Sequence, residues 1–161
     1  MTQPALTPQR SRSATTRRCF TVDEANRSLV YIGPIVRDAV AAYESAKSLR
    51  LQLEMMEDGQ PRSKMQMELA ALMERQRDLR RELDRAGVSL ADAASGLVDF
   101  PAWDRGRAIE LCWRLGESEV RYFHEIGAGY AGRQPISRLE EVATKASATE
   151  PGGETHRSGK P

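Results

Sequence analysis

Two stretches of the chain carry the same apolar spacing. From Ile35 the apolar positions run Ile35, Ala39, Ala42, Ala46, Leu49, Leu53 and Met56, stepping by four and three in strict alternation. After "EDGQPRS" at 57–63, whose Gly and Pro make it a turn, the alternation resumes at Met65, Leu69, Leu72, Gln76, Leu79, Leu83 and Ala86. Only a helix brings such positions to one side, and two such stripes joined by a short loop must close on each other. The spacing therefore predicts a coiled-coil-like antiparallel hairpin over residues 34–86, roughly 35 Å long at a rise of about 1.5 Å per residue, with Gly87 as its stop. Its first seam is rich in alanine and its second in leucine and methionine, so small residues can face large ones. Gln76 is the polar exception, a position that sets register. Met55, Met56, Met65, Met67 and Met73 gather toward the loop end, where adaptable thioethers suit either core filling or a partner surface.

Upstream, "FTVDEAN" reads as a helix start, with Thr21 as N-cap and Glu24 as its reciprocal partner. Gly33-Pro34 then predicts a short first helix that kinks or restarts there, because proline removes a backbone donor. The 161 residues suit one α+β domain over 19–146, flanked by a basic arm at 1–18 and a Pro/Gly/Ser/Thr-rich tail at 147–161, both expected to be disordered. Lys+Arg 24 nearly cancels Asp+Glu 23, so no overall field favours nucleic acid. No apolar run reaches the ~18 residues of a membrane helix, no signal-like segment opens the chain, and the cytoplasm is the expected compartment. Cys19 and Cys112 are too few for a disulfide framework or a Cys-rich zinc site.

Past Gly87 the period changes to alternation. A short segment at 97–100 and runs at 107–115 and 118–125 predict a small antiparallel sheet over 97–126, followed by a Gly-rich loop at 127–135 and a short helix near 137–147. If Gly116 and Glu117 are the two central residues of a type II′ turn, the register pairs Trp113 with Val120, Leu111 with Tyr122 and Ile109 with His124 on an apolar face. Cys112 then pairs with Arg121, and Ala108 with Glu125, on the other.

This part of the chain holds the candidate site residues: Asp99, Phe100, Trp103, Cys112, His124, Glu125, Tyr130 and Arg133. Gly127, Gly129 and Gly132 spell G-x-G-x-x-G, but a dinucleotide site needs a βαβ unit, and Pro135 with no second parallel strand argues against one. A glycine-rich turn holding Tyr130 and Arg133, or an anion site of converging amides, is the alternative. His124 and Glu125 suggest acid/base or metal chemistry, yet the register separates His124 from Cys112 and Glu125, which favours a buried structural histidine. Cys112 with Arg121 across from it keeps a nucleophile reading open. Asp99, Phe100 and Trp103 combine a carboxylate with aromatics, a composition for a ligand rim or for core closure.

"FTVDEAN" at 20–26, "GLVDFPA" at 96–102, "LCWRLGE" at 111–117 and "HEIGAGYAGRQPI" at 124–136 together resemble the bacterial family known as domain of unknown function family 2203, over residues 20–136. The resemblance brings no activity. Phe123 stands where the family often has Trp, and Gly127 where an acidic residue is frequent. The leading expectation is a protein-interaction or scaffold module that self-associates through its hairpin, as a homo-oligomer or with a protein partner, using flanks such as Val36, Val40, Tyr43, Met67, Ala70 and Met73. The alternatives are a small-ligand, anion or metal site at the sheet and Gly-rich loop, and RNA or ribosome association through the basic arm. No catalytic residue, metal or cofactor is assigned, and the motifs lean away from an enzyme.

Overall fold

Helix α1 spans Val22–Met55 and is continuous through Pro34, so the expected short first helix and kink are absent. The proline lies on the solvent side, and so does Val30, whose carbonyl loses its i+4 donor; water can replace the missing bond. Its start is as the sequence indicates. The Thr21 side chain accepts from the Glu24 amide at 3.1 Å, and the Glu24 carboxylate accepts from the Thr21 amide at 3.0 Å. The computed structural model describes residues 18–57 and 60–139.

Helix α2, Ser63–Arg85, returns antiparallel to α1. It ends in a Schellman arrangement: Gly87, at φ +83°, donates to the Asp84 carbonyl, and Val88 donates to the Leu83 carbonyl, each at 3.0 Å. Gln76 sits on the seam and donates to the Ala42 carbonyl at 3.2 Å.

A five-stranded antiparallel meander follows, in the order β1 (Ser89–Asp92), β2 (Leu97–Asp104), β3 (Arg107–Arg114), β4 (Tyr122–Glu125) and β5 (Gln134–Pro135). Strands β1 and β5 were not expected. Each is too short to show alternation, and β1 buries only Leu90. The inner face of the sheet offers Val98, Phe100, Ala102, Ile109, Leu111, Trp113 and Phe123 to Ile32, Ile35, Val36 and Ala39 of α1 and Leu79 and Leu83 of α2. Phe20 completes this core, meeting Phe100 edge to face at 5.2 Å while its amide donates to the Pro101 carbonyl at 2.7 Å. Val36 is thus fully buried rather than an open flank. The turn at Gly96 packs on the same helix face: a Cβ there would lie 2.8 Å from Leu115 Cβ and 3.0 Å from Val36 and Val40.

The β3–β4 connection departs from the expected turn. Glu117 donates its amide to the Arg114 carbonyl at 3.0 Å, and Gly116, at φ +99°, is the third residue of that turn rather than the second. This is the position at which a type II turn requires glycine. The chain then runs outside the β3–β4 ladder to Tyr122, with Val120 donating to Asn26 Oδ1 of α1 at 2.7 Å. The observed register pairs Leu111 with Phe123, Glu110 with His124, Cys112 with Tyr122 and Ile109 with Glu125. It is one residue away from the expected register, and such a shift moves every side chain of the strand to the opposite face.

As the sequence indicates, no βαβ unit for a dinucleotide occurs among the described residues, where every strand pairing is antiparallel. Of the helix expected near 137–147, only 137–139 fall among the described residues, where a 3₁₀ turn covers Ile136–Arg138; residues from 140 lie outside the described part, as do those of the basic arm before Arg18.

Candidate functional site

The corrected register brings together what the sequence reading separated. On the outer face of the sheet, Asp99 of β2 pairs directly with Cys112 of β3, and His124 enters from β4 on the far side of Cys112. All three side chains are buried, although this face points away from the helices. The Gly-rich loop covers them. At Gly132 the loop lies against His124, where a Cβ would make an ordinary contact at 3.8 Å with that of His124, but it would sit 2.6 Å from that of Ala128, so a larger residue would force the loop's own turn to open.

The His124 ring is held at both nitrogens. Nδ1 lies 2.9 Å from the Glu125 carbonyl oxygen, which can only accept, so Nδ1 carries the proton. Nε2 lies 3.1 Å from Asp99 Oδ1, and Glu110 Oε2 stands 3.5 Å from Nδ1. One donor atom from each of Asp99, Cys112 and His124 falls within 4.8 Å of the others.

Arg133 closes this region from the loop side. Its guanidinium makes a two-pronged pair with Glu117, both contacts at 2.7 Å, and donates from Nε to Cys112 Sγ at 3.3 Å. It also stacks over the Tyr122 ring at 4.3 Å and the Tyr130 ring at 5.0 Å. Burial alone would push the Glu117 carboxyl up, but the Arg133 fork and the Arg114 amide, donating at 2.8 Å, hold it below the ordinary carboxylate range. The guanidinium is likewise kept charged despite burial by its bonds to Glu117 and Cys112. Arg133 is therefore the cation beside Cys112, the role the sequence reading gave to Arg121; Arg121 pairs instead with Glu119 at 2.8 Å.

The remaining candidates divide. Phe100 faces the core and lines no site. Trp103 is half-exposed at the far end of β2 and donates to Cys19 Sγ at 3.0 Å. The Glu125 carboxylate turns to Arg107 at 2.7 Å, leaving only its carbonyl at the histidine. Tyr130 is a stacking surface for Arg133 and accepts from Arg114 at 3.2 Å. Tyr122, the other platform, was missed, because its value depends on a residue eleven positions on that the loop folds back over it.

The chemistry of a cysteine nucleophile does not fit. Both imidazole nitrogens face other partners, so the histidine does not address the thiol. Burial, then the Asp99 charge, pushes the Cys112 thiol up to about 12 despite Arg133. That is the opposite of an activated thiolate.

The second region with an unusual surface is the hairpin beyond the sheet. There Leu51 is 53% exposed, Met55 84% and Met67 73%. No described helix is long and apolar enough to cross a membrane.

A helical hairpin laid on a five-stranded antiparallel meander, with a loop-covered polar cluster on the outer face, defines an α+β class of protein. The chain belongs to the family described as uncharacterized conserved protein (DUF2203), whose model matches residues 18–136. No curated protein and no solved structure matches it.

Proposed function

We propose that the protein is an interaction module that self-associates through the distal half of its helical hairpin, with a second copy of the chain as partner. The observation that carries this is a change in burial along one seam. Leu79 and Leu83, backed by the sheet, are buried, and on α1 the small Ala42 and Ala46 and then Leu49 stay buried as well; Leu53, Met56, Met65, Leu69 and Leu72, on the same two helices, are only half-covered. Two helices alone leave this part of the seam incompletely dry, and Leu51, Met55 and Met67 add exposed apolar side chains on the other faces of the same arm. A second hairpin laid against it makes a four-helix bundle, the arrangement that such amphipathic pairs adopt. Both signs of charge border the stripe, with Glu44, Lys47, Arg50 and Glu54 on α1 and Lys64, Glu68, Glu74 and Arg75 on α2. A copy therefore meets opposite charges as well as like ones.

Light scattering on the size-fractionated full chain tests this. The expected result is a dimer that Met55→Glu combined with Met67→Glu converts to monomer with little change in melting temperature, since both side chains are exposed in the single chain. A monomer at tens of micromolar protein, or a dimer indifferent to both charges, would sink the reading.

A further inference from the structure

We infer that Asp99, Cys112 and His124 form a binding site for a divalent transition metal of the zinc class. The first ground is the contact between His124 and Asp99. With its proton on Nδ1, facing the Glu125 carbonyl at 2.9 Å, the histidine turns a lone pair at Nε2 toward Asp99 Oδ1, 3.1 Å away. Two acceptors at that separation need a positive centre between them, either a proton or a metal ion.

The surroundings favour the ion. A third donor, Cys112 Sγ, stands beside them, and one ligand atom from each of the three residues lies within 4.8 Å of the others. Metal bonds of about 2.0–2.3 Å place neighbouring ligands of a tetrahedral ion roughly 3.3–3.8 Å apart, so shifts of about 1 Å or less complete the geometry. A histidine whose other nitrogen is fixed by a backbone carbonyl is oriented as metal-binding histidines are. Three antiparallel strands hold the ligands side by side on a rigid frame, and the Arg133 Nε donates to the sulfur at 3.3 Å, as outer-shell groups do around a bound thiolate.

The donor set selects the class. Thiolate, imidazole and carboxylate together suit zinc, cobalt(II) or iron(II) and not magnesium or calcium, which take oxygen. The two anionic ligands neutralise a dication, and Arg133 is already matched by Glu117, so the ligand set and the ion balance each other. Binding releases the Cys112 proton to solvent. Three protein ligands leave one tetrahedral corner for water or another small ligand.

The test is titration of the full chain, purified without chelator and then stripped, with cobalt(II) and zinc. One equivalent per chain is expected. The cobalt form should show the near-ultraviolet sulfur-to-metal charge-transfer band and the intense visible bands of a tetrahedral site, with zinc displacing it. Cys112→Ser should remove the charge-transfer band, and His124→Gln should lose the bound equivalent. Because these buried substitutions can disturb folding, the wild-type spectrum decides independently: a folded chain that binds no equivalent, or binds cobalt without a sulfur band, overturns the site. Retention of the full equivalent and band in Cys112→Ser overturns it as well, assigning the metal to Cys19 or other donors.

Discussion

Leu79 and Leu83 occupy the same seam of α2 as Leu69 and Leu72, and the four share the same residue type and spacing. The first two are buried under the sheet, and the second two, about two to four turns nearer the loop, are half-covered. The difference lies in the number of layers. Near the sheet each helix has a neighbouring helix and a β-sheet; in the distal arm each has only the other. A seven-residue repeat specifies that two helices meet, but whether their contact is dry depends on what lies behind it.

The sharpest way to separate the two regions is to remove a large side chain from each. Phe100 is fully buried, and Phe100→Ala is expected to cost about 4 kcal/mol, the usual range for deleting a core aromatic. Leu69→Ala removes a half-covered side chain and is expected to cost about 1 kcal/mol in the single chain. Urea unfolding at low and high protein concentration measures both. If the cost of Leu69→Ala rises with concentration toward that of a core leucine while that of Phe100→Ala does not, a second copy covers the arm. Similar large costs at every concentration would erase the distinction.

Next in size is the Glu117–Arg133 pair that anchors the loop over the polar cluster. Glu117→Ala leaves a largely buried guanidinium without its carboxylate, at an expected cost of about 3 kcal/mol. Its pH dependence has a definite sign. The folded-state pKa of Glu117 is depressed, so its stabilisation is fully present above the unfolded value near 4.3 and is lost as the pH falls from there through the lower folded value. Glu117→Gln should therefore be less stable than the wild type at neutral pH and lose less stability on acidification. Other depressed carboxyls, such as those of Glu24 and Asp92, are common to both proteins and cancel in the difference. Parallel acid profiles would mean that the pair does not hold the loop.

The hairpin, its stop at Gly87, the capping box at Thr21 and the alternating core of the sheet were legible because each depends on residues within one or two turns or on a single alternation. The polar cluster was not. Its assembly turns on whether Gly116 is the second or the third residue of a turn, and either position suits glycine. The choice is made by Glu117, whose carboxylate reaches back to the Arg114 amide and across to Arg133, contacts that no local pattern displays. One residue of register then decides whether His124 joins Cys112 and Asp99 or faces the core. The continuity of α1 through Pro34 was hidden for a similar reason. A proline breaks a helix only if the carbonyl it deprives has no other donor, and the exposure of Val30 is a property of the fold.

The smallest expected effect tests what distinguishes the arm most finely. Gln76 lies at the boundary between the buried and half-covered parts of the seam, and its amide bonds the Ala42 carbonyl, which is already positioned to accept within α1. Replacing it with leucine therefore strands no backbone group and makes the seam apolar throughout. Gln76→Leu should stabilise the chain by about 1 kcal/mol or less, because one modest hydrogen bond is exchanged for buried apolar area. A polar residue at a seam position acts against alternative pairings, so the variant should also spread the protein over more than one oligomeric state, visible in native mass spectrometry. Destabilisation without any change in assembly would assign Gln76 a purely internal role, holding the two helices at the point where the sheet stops supporting them.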